Sequence, residues 1–259
     1  MQPLERMNAS EARGLTGLLF DLDDTFLDRG RLDAEAYAAL FRLRQLGLGL
    51  VAVTGRPAGW GAVLARQWPV DAVICENGAL ALQRDGNQVT RIDAVGPPAR
   101  AERNARLRAI AGAVARELTE LEPSEDCWLR VSDYTFDIGE ERTVARVRVE
   151  QAVALARRLG ARTLVSTVHL HLTLDGDDKA SGAVRLLSRL HGLDPTLARL
   201  RWAFVGDSEN DESCFAAFHT TIGVKNLSGR PSLLPRYSTR GERSAGFVEL
   251  CRALAERRG

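Results

Sequence analysis

The amino-acid sequence predicts an α/β protein, in which a parallel sheet with helices on both faces is interrupted by an inserted α+β domain. Short apolar runs alternate with amphipathic helical stretches over residues 15–75. Between about 80 and 175 this alternation gives way to a hairpin, two helical stretches and several strand-like runs, and it then resumes. Such alternation indicates a parallel sheet, because parallel neighbours need a helix-length crossover connection.

The first part of the chain is predicted to contain three buried strands and two helices. The apolar runs that suit strands lie at 15–20, 48–53 and 70–75. Asp33 is a candidate N-cap of a helix that ends at Gly47. The apolar face of this helix is formed by Tyr37, Leu40, Phe41 and Leu43. Residues 58–67 are predicted as the second helix.

The middle of the chain has a different pattern. Residues 79–92 indicate a hairpin around Asp85-Gly86, and Gly96-Pro97-Pro98 breaks the chain. A helix then places apolar residues from Leu107 to Leu121 on one face. The segment 127–138 favours one or two strands. A further helix at about 143–159 and strands at 162–167 and 169–174 follow.

The parallel-sheet pattern returns after residue 175. Its predicted elements are helices at 179–191 and 211–218, strands at 201–205 and 219–224, and a last helix with Phe247, Leu250, Cys251 and Leu254 on one face. We therefore expect a Rossmann-like core at 15–79 and 176–259, an inserted domain at 80–175, and a loose polar leader at 1–14.

Composition excludes several classes of protein. The 259 residues carry a formal net charge of +1, which gives no electrostatic signal for nucleic acid or a membrane surface. No apolar segment approaches the roughly 20 residues that cross a bilayer. The four cysteines are far apart and form no CxxC pair, which is typical of reduced thiols in a cytoplasmic protein.

Four polar clusters are predicted to meet at one edge of the sheet. Asp21 and Asp23 end the first strand, Thr54 ends the second, and Asp207 opens a polar segment after the strand at 201–205. Lys179 begins the helix that returns to the sheet. The carboxyl ends of parallel strands form the ligand crevice of an open α/β sheet, so we expect these side chains to converge.

Each cluster alone has a simpler interpretation. The aspartates at 21–24 suit a capped turn, Thr54 a strand-end hydroxyl that bonds to backbone, Lys179 a solvated charge and 206–211 a turn entering a helix. All four in this order at one sheet edge favour a functional site.

The four clusters together resemble the ordered motifs of the haloacid dehalogenase (HAD) superfamily. The matching residues are DLDDT (21–25), Thr54, Lys179 and GDSEND (206–211). The insertion lies where the type IIB branch, which contains many sugar-phosphate phosphatases, carries its cap domain, and Glu76-Asn77-Gly78 is similar to that branch. One departure is Asp24, where many relatives carry glycine, and we expect its carboxylate to point away from Asp21 and Asp23.

The resemblance implies a role for each motif. Asp21 would be the nucleophile that forms an aspartyl-phosphate, and Asp23 would act as general acid and then as general base. Thr54 would hold the phosphate and Lys179 would balance charge. The further substrate-binding candidates are Gly55, Arg56, Asn77 and Asn210.

A magnesium ion is the implied cofactor. An anionic nucleophile that approaches an anionic phosphate needs a cation, and Mg²⁺ prefers carboxylate, carbonyl, water and phosphate oxygens. The expected ligands are Asp21, Asp207 and the backbone carbonyl of Asp23, and Asp211 would bind the metal directly or orient a metal-bound water.

The inserted domain would select the substrate. Its candidates are Arg130, Asp133, His169 and His171. The two histidines alternate on a predicted strand and therefore share a face, which suits an ordinary sheet surface, a substrate contact or, with a third ligand, zinc.

We therefore predict a cytoplasmic Mg²⁺-dependent phosphatase that acts on a small phosphorylated metabolite, namely a sugar or sugar-acid phosphate, with no nucleic-acid or membrane partner. Three alternatives stay open: a sugar phosphomutase with the same aspartyl-phosphate chemistry, a non-catalytic phospho-receiver module, and a catalytically silent binding protein. The receiver module gives no use to Asp23 or to a large insertion, and the silent protein would carry four intact motifs without using them. The substrate and the oligomeric state are not readable from the residues.

Overall fold

The structure is a computed structural model that describes residues 1–166, 168–229 and 231–259. The helices of these residues are α1 (Ala9–Gly14), α2 (Ala34–Gln45), α3 (Ala58–Gln67), α4 (Pro97–Glu117), α5 (Arg146–Arg158), α6 (Lys179–His191), α7 (Pro195–Arg201), α8 (Glu212–Ala217) and α9 (Arg243–Arg258). The strands are β1 (Gln2–Pro3), β2 (Gly17–Asp21), β3 (Gly49–Val53), β4 (Ala72–Cys75), β5 (Leu80–Asp85), β6 (Gln88–Asp93), β7 (Glu122–Pro123), β8 (Asp133–Asp137), β9 (Arg162–Val165), β10 (His169–Thr173), β11 (Trp202–Gly206), β12 (Thr220–Gly223) and β13 (Tyr237–Ser238).

The chain divides into two compact units. The first contains residues 1–55, 61–92 and 177–259, and the second contains 56–60 and 93–176. An insertion between two halves of a parallel-sheet unit agrees with the predicted α/β class. The inserted domain was predicted to begin at residue 80, whereas the main part of the second unit begins at Asp93. The β5–β6 hairpin accounts for the difference.

The first unit is built on a mixed sheet. In the described part of the chain, nine strands follow the order β1-β13-β12-β11-β2-β3-β4-β5-β6. β2 pairs in parallel with both β3 and β11, and β3 pairs in parallel with β4. Apolar residues of the strands, such as Leu19 and Phe204, pack against helix residues such as Leu187 and Phe215.

The hairpin predicted at 79–92 is part of this sheet and not of the inserted domain. β5 pairs antiparallel with β4, with Leu80 opposite Cys75. Leu80, Ala81 and Leu82 are buried, so the hairpin extends the core of the first unit. Its local sequence predicted the two strands correctly but carried no information about which sheet they join.

The segment 1–14 is ordered, and the prediction of a loose leader was wrong. β1 pairs in parallel with β13, although the two strands are more than 200 residues apart in the sequence. Leu4, Met7 and Ala12 are buried. Burial of these few apolar side chains holds an otherwise polar segment in place.

Phe41 is a second departure. The buried residues of α2 are Ala36, Ala39, Leu40 and Leu43, whereas the Phe41 side chain is 48% exposed and stacks edge-on against Tyr37. Adjacent helix residues differ by about 100° around the axis, so Phe41 falls outside the stripe that contains Leu40.

The second unit combines an antiparallel sheet with two helices. Among its described residues, the strand order is β7-β8-β10-β9, and α4 and α5 pack against it. Phe136, Leu170 and Leu172 face Leu107, Val114, Val149 and Ala152 in its core. The segment predicted as strand at 127–138 forms a strand only at β8, because residues Glu125–Leu129 form a 3₁₀ turn. Thr167, at the end of the predicted strand 162–167, lies outside the described residues.

No helix in residues 1–166, 168–229 and 231–259 combines the length and apolar character that a membrane-spanning segment needs. Cys75, Cys127, Cys214 and Cys251 are free thiols.

Candidate active site

Strand pairing in the first unit brings the predicted motifs to one sheet edge. Asp21 is the last residue of β2 and lies opposite Val53, the residue before Thr54. On the other side of β2, Phe20 lies opposite Val205, two residues before Asp207. The carboxyl ends of the three parallel strands therefore carry Asp21, Thr54 and Asp207 side by side, as the sequence predicted.

Lys179 connects two of the buried carboxylates. Its Nζ donates to Asp21 Oδ1 at 2.7 Å and to Asp211 Oδ1 at 2.7 Å. A third bond, to Asn210 Oδ1, is 3.1 Å long. The Lys179 side chain is 1% exposed, so its charge acts where water does not screen it.

The segment after β11 fixes Asp207 and Asp211. Thr25 Oγ1 donates to Asp207 Oδ1 at 2.8 Å. Asp211 Oδ2 accepts the backbone N–H groups of Asp207 at 3.0 Å and Ser208 at 3.2 Å. A Cβ on Gly206 would lie 2.3 Å from Asp211 Oδ2, so only glycine leaves room for this carboxylate.

The three aspartates form a candidate metal centre. One carboxylate oxygen from each of Asp21, Asp207 and Asp211 lies within 4.8 Å of the others. All three residues are buried, and Lys179 supplies a single positive charge against their three negative charges. The remaining negative charge and the all-oxygen donor set fit Mg²⁺.

The pKa values in the cluster reflect this excess of negative charge. Burial, with repulsion from Asp211 and Asp207, raises the pKa of Asp21 well above its usual value, against the opposing effect of Lys179. Burial and then the charge of Asp211 raise the pKa of Asp207 to about 7. Burial lowers the pKa of Lys179, but the charges of Asp21 and Asp211 outweigh it and the net shift is upward.

Asp23 differs from Asp21 in its environment. It lies within the turn Leu22–Phe26 that follows β2, where its own backbone is extended with φ −72° and ψ 128°, and its side chain is exposed. Its carboxylate is not part of the three-aspartate group. β2 ends at Asp21, so strand pairing does not fix the direction of the Asp23 side chain.

Asp24 points into a separate network. Its backbone has φ +56°, a region that favours glycine. Arg243 Nε donates to Asp24 Oδ1 at 3.0 Å, and Asn226 Nδ2 donates to its carbonyl oxygen at 2.9 Å. Arg243 therefore offsets the charge that this position adds. Sequence reasoning assigned no role to Thr25, Asn226 or Arg243, and only Thr25 carried a signal, through its place in the first motif.

Residues 76–78 join the Thr54 segment to α6. Asn77 N–H donates to the Thr54 carbonyl oxygen at 3.1 Å. Glu76, Asn77 and Gly78 have consecutive positive φ angles of 51°, 54° and 103°. A Cβ on Gly78 would lie 1.9 Å from the Asp178 carbonyl oxygen, the residue before Lys179. This close approach fixes the start of α6 beside the candidate site.

Asn77 has an unused acceptor. Its Oδ1 is buried and has no hydrogen-bond partner within residues 1–166, 168–229 and 231–259. A Cβ on Gly55 would lie 3.1 Å from this oxygen, so glycine at 55 keeps space beside the amide. A buried acceptor without a partner is unfavourable, which makes Asn77 a candidate for contact with a ligand donor.

The remaining candidates lie in the second unit. The Arg56 guanidinium lies 4.8 Å from the Trp60 ring centroid. Arg130 pairs with Asp126 at 3.0 Å and with Asp133 at 3.1 Å. His171 bonds to Asp133 and His169 to Glu140, each at 2.9 Å. Within the described residues the two histidines belong to no group of three metal-ligand side chains, so the zinc interpretation gains no support.

Comparisons with known proteins agree with the motifs. Residues 18–95 match the model of the haloacid dehalogenase-like hydrolase family. No curated protein sequence matches the chain significantly.

Three solved structures illustrate the similarity in fold. A protein of Thermoplasma acidophilum has a TM-score of 0.73 at 16% identity, covering 93% of this chain and 98% of its own. A haloacid dehalogenase-like hydrolase from Bacteroides thetaiotaomicron has a TM-score of 0.71 at 16% identity, covering 92% and 98%. The sucrose-phosphatase of Synechocystis, solved with sucrose and phosphate, has a TM-score of 0.65 at 17% identity, covering 93% and 98%. The predicted fold class is confirmed, and the family match agrees with the predicted resemblance over residues 18–95.

Proposed function

We propose that this chain, a haloacid dehalogenase-like hydrolase by fold and motifs, is a Mg²⁺-dependent phosphatase of a small phosphorylated metabolite, namely a sugar or sugar-acid phosphate. The carrying observation is the buried Asp21 carboxylate at a strand end, bonded to Lys179 and grouped with Asp207 and Asp211. The family match supports the hydrolase class. The similarity to sucrose-phosphatase supports the sugar-phosphate class as a proposal.

The first half of the reaction is a phosphoryl transfer to Asp21. A carboxylate oxygen of Asp21 attacks phosphorus, the bond from phosphorus to the ester oxygen breaks, and an aspartyl-phosphate forms. Asp23 gives its proton to the departing alkoxide. Its exposed position suits exchange of a proton with a leaving group and later with water.

The second half regenerates the enzyme. Asp23, now a carboxylate, takes a proton from water as that water attacks phosphorus, and the bond to Asp21 breaks to release inorganic phosphate. Lys179 stabilises the Asp21 carboxylate before attack and after release. Thr54, Gly55 and Asn210 would contact phosphate oxygens, and Asn77 Oδ1 would accept a hydrogen bond from a substrate hydroxyl.

Magnesium, when bound by Asp21, Asp207, Asp211 and the Asp23 carbonyl, supplies positive charge that reduces the repulsion between the nucleophile and the phosphate. Lys179 alone leaves that repulsion largely uncompensated, since it already neutralises buried aspartates.

The test is phosphate release from a panel of phosphorylated sugars and sugar acids, with Mg²⁺ and with a chelator. We expect release only with Mg²⁺, and we expect Asp21→Asn to lower kcat by at least roughly 10³-fold, because the nucleophile is lost.

Asp24→Asn is the matched control, because it removes a carboxylate three residues away that pairs with Arg243 and lies outside the aspartate group. We expect it to keep most of the activity. Wild-type turnover by Asp21→Asn would reject the assignment. Conversion of the substrate to an isomeric phosphate without phosphate release would assign the phosphomutase alternative.

A further inference from the structure

The turn Leu22–Phe26 after β2 is held at both of its ends. Asp21, the residue before the turn, is the last residue of β2. Phe26, the last residue of the turn, is fully buried against three aromatic rings. Asp23 lies between these ends, so the direction of its carboxylate depends on what holds the middle of the turn.

The middle of the turn adopts a backbone conformation that needs support. Asp24 has φ +56° and ψ 11°, which is unfavourable for residues other than glycine. Asn226 Nδ2 donates to the Asp24 carbonyl oxygen at 2.9 Å. This bond stabilises the peptide group directly after the strained residue. Because it reaches the backbone, Asp24→Asn leaves it in place.

The start of α9 fixes the orientation of the Asn226 amide. Its Oδ1 accepts the backbone N–H of Arg243, the first residue of α9, at 2.7 Å. The amide thus has its acceptor on Arg243 and its donor on Asp24. The side chain is half-buried, so water competes only partly for these bonds.

The segment 224–228, which follows β12, also bonds to the second acidic loop. Ser228 N–H donates to the Asp207 carbonyl oxygen at 2.6 Å. Leu227 packs against the core of the first unit and anchors the segment. One short segment therefore bonds to the backbone directly after Asp23 and at Asp207, and it links the two acidic loops.

We infer that Asn226 is a positioning residue for Asp23: through the Asp24 carbonyl oxygen it holds the turn in the conformation from which the Asp23 carboxylate reaches the leaving group. The inference rests on the proposed function, in which Asp23 protonates the departing alkoxide. Asn226 acts through the backbone and takes no part in the chemistry. Loss of its amide therefore affects the step that uses Asp23 as an acid and spares a reaction that needs no acid.

The experiment compares two substrates of the full chain with Mg²⁺. The first is the sugar phosphate found in the phosphatase panel, whose alkoxide leaving group needs a proton. The second is p-nitrophenyl phosphate, whose phenolate is a weak base and leaves without one. Since kcat/KM reports the steps up to the first phosphoryl transfer, the ratio of the two values measures the contribution of the general acid.

We expect Asn226→Ala to change this ratio. It should lower kcat/KM for the sugar phosphate by about tenfold or more, because a small displacement of a catalytic group lowers the rate strongly. It should lower kcat/KM for p-nitrophenyl phosphate by less than about threefold, because that leaving group does not need the acid.

Two further variants separate the contacts. Asn226→Asp keeps the shape of the side chain and the acceptor for the Arg243 N–H but loses the donor to Asp24. It should change the ratio in the same direction, since its added charge acts on both phosphate substrates alike. Lys225→Gln is the matched control, because this neighbouring side chain is exposed and its ion pair with Glu242 is 4.0 Å long. We expect it to leave both values unchanged.

A second measurement does not depend on activity. Amide hydrogen exchange of the Mg²⁺-free chain is followed in peptides that cover residues 22–28, with peptides of α2 as the reference. Asn226→Ala should speed exchange in 22–28, and Lys225→Gln should not.

Three outcomes would overturn the inference. Asn226→Ala could lower kcat/KM equally for both substrates, which would indicate a general structural role. Asn226→Asp could keep the wild-type ratio, which would mean that the contact with Arg243 matters and the contact with Asp24 does not. Exchange in 22–28 could be unchanged in Asn226→Ala. Absence of phosphate release from both substrates in the wild-type chain would reject the proposed function and the role of Asp23 with it, which is distinct from an unchanged ratio in an active chain.

Discussion

At the scale of single residues, the candidate site holds more buried negative charge than positive charge. Asp21, Asp207 and Asp211 are buried around one lysine, and burial raises the pKa of Asp21 and Asp207. Such an arrangement opposes folding unless a cation compensates it. The crowding of acidic residues in DLDDT and GDSEND agrees with the divalent-metal site that we propose.

Asp24 adds a further carboxylate next to the candidate site, and its unusual backbone conformation gives a test of backbone strain. Asp24 has φ +56°, and its carboxylate pairs with Arg243. We expect Asp24→Ala to be the least stable of three variants in urea denaturation, since a left-handed alanine costs roughly 1–2 kcal/mol.

Asp24→Asn and Asp24→Gly separate strain from charge. Asparagine and glycine both tolerate the left-handed region, so each should lose little beyond the exposed ion pair. Equal destabilisation of all three variants would mean that the ion pair, and not the backbone conformation, determines the effect.

The sequence was informative about single residues where a motif has a fixed spacing. Asp21, Thr54, Lys179 and Asp207 each follow or precede a recognisable apolar element, so their convergence could be predicted from sheet topology alone. The contacts of Thr25 with Asp207 and of Arg243 with Asp24 join segments about 180 and 220 residues apart. These partners meet only in the folded chain, so no local sequence pattern predicts the contacts.

At the scale of elements, the position of Lys179 depends on how α6 begins. A Cβ on Gly182 would lie 2.5 Å from the Gly78 carbonyl oxygen, so α6 packs directly on the backbone of residues 76–78. Lys179 lies in the first turn of this helix, one turn before Gly182. A shift of α6 therefore moves Nζ relative to Asp21 and Asp211.

We predict that Gly182→Ala lowers kcat/KM for the substrate found in the phosphatase panel by about tenfold or more. The added methyl group would push α6 away from residues 76–78, and a small displacement of a catalytic side chain lowers the rate strongly. Gly112→Ala in α4 is the control, since its nearest neighbour is an arginine tip at 3.5 Å and alanine favours the helix. An unchanged kcat/KM in Gly182→Ala, with the fold intact by circular dichroism, would show that α6 does not position the lysine.

The end of β8 gives a pH-dependent prediction. Asp137 is buried and accepts the backbone N–H groups of Gly139 at 3.1 Å, Glu140 at 2.8 Å and Glu141 at 3.0 Å. Burial alone raises the pKa of Asp137, but the three donors outweigh it and the pKa lies below its usual value. A lowered folded-state pKa stabilises the protein above the unfolded-state pKa of about 3.9 and stops doing so as pH falls through the folded value.

Asp137→Asn should therefore lower the free energy of unfolding by about 1 kcal/mol at neutral pH, and the difference from wild type should shrink as pH falls below about 4. Urea titrations at several pH values measure both. Asp85→Asn, at the exposed end of β5, is the control, since no described residue donates such bonds to it. A difference that grows toward acid pH would contradict the sign.

Element prediction succeeded where periodicity was strong and failed where tertiary pairing decides. The apolar runs that became β2, β3, β4 and β11 could be predicted to within about one to two residues. α7 was not predicted. β1 was not predicted either, because this two-residue strand is defined by its pairing with β13. The placement of the β5–β6 hairpin depends on β4, which no pattern in residues 79–92 encodes.

At the scale of the whole molecule, the chain enters and leaves the second unit through segments that a buried arginine joins. Asp93, at the end of β6, accepts Arg100 Nε at 3.0 Å and Nη2 at 2.7 Å. Asp175, which follows β10, accepts Arg100 Nη1 at 2.5 Å and also pairs with Arg103. The Arg100 side chain is 4% exposed, so both ends of the inserted segment are held by one desolvated cation.

This arrangement predicts that Arg100→Met destabilises the second unit strongly, by roughly 3–5 kcal/mol, since it removes a buried cation to which both Asp93 and Asp175 are bonded. Arg103→Met is the matched control: its side chain is 38% exposed, and it should cost under about 1 kcal/mol. Two units need not unfold together, so amide hydrogen exchange is the suitable measurement, with peptides of 93–176 compared with those of 17–53 and 202–223. Faster exchange confined to 93–176 in Arg100→Met is the expected result.

Two outcomes would contradict the prediction. Equal effects of the two variants would mean that Arg103 stabilises Asp175 as well as Arg100 does. Faster exchange only in the first unit would mean that the parallel sheet, and not the Arg100 ion pairs, stabilises the segments around Asp93 and Asp175.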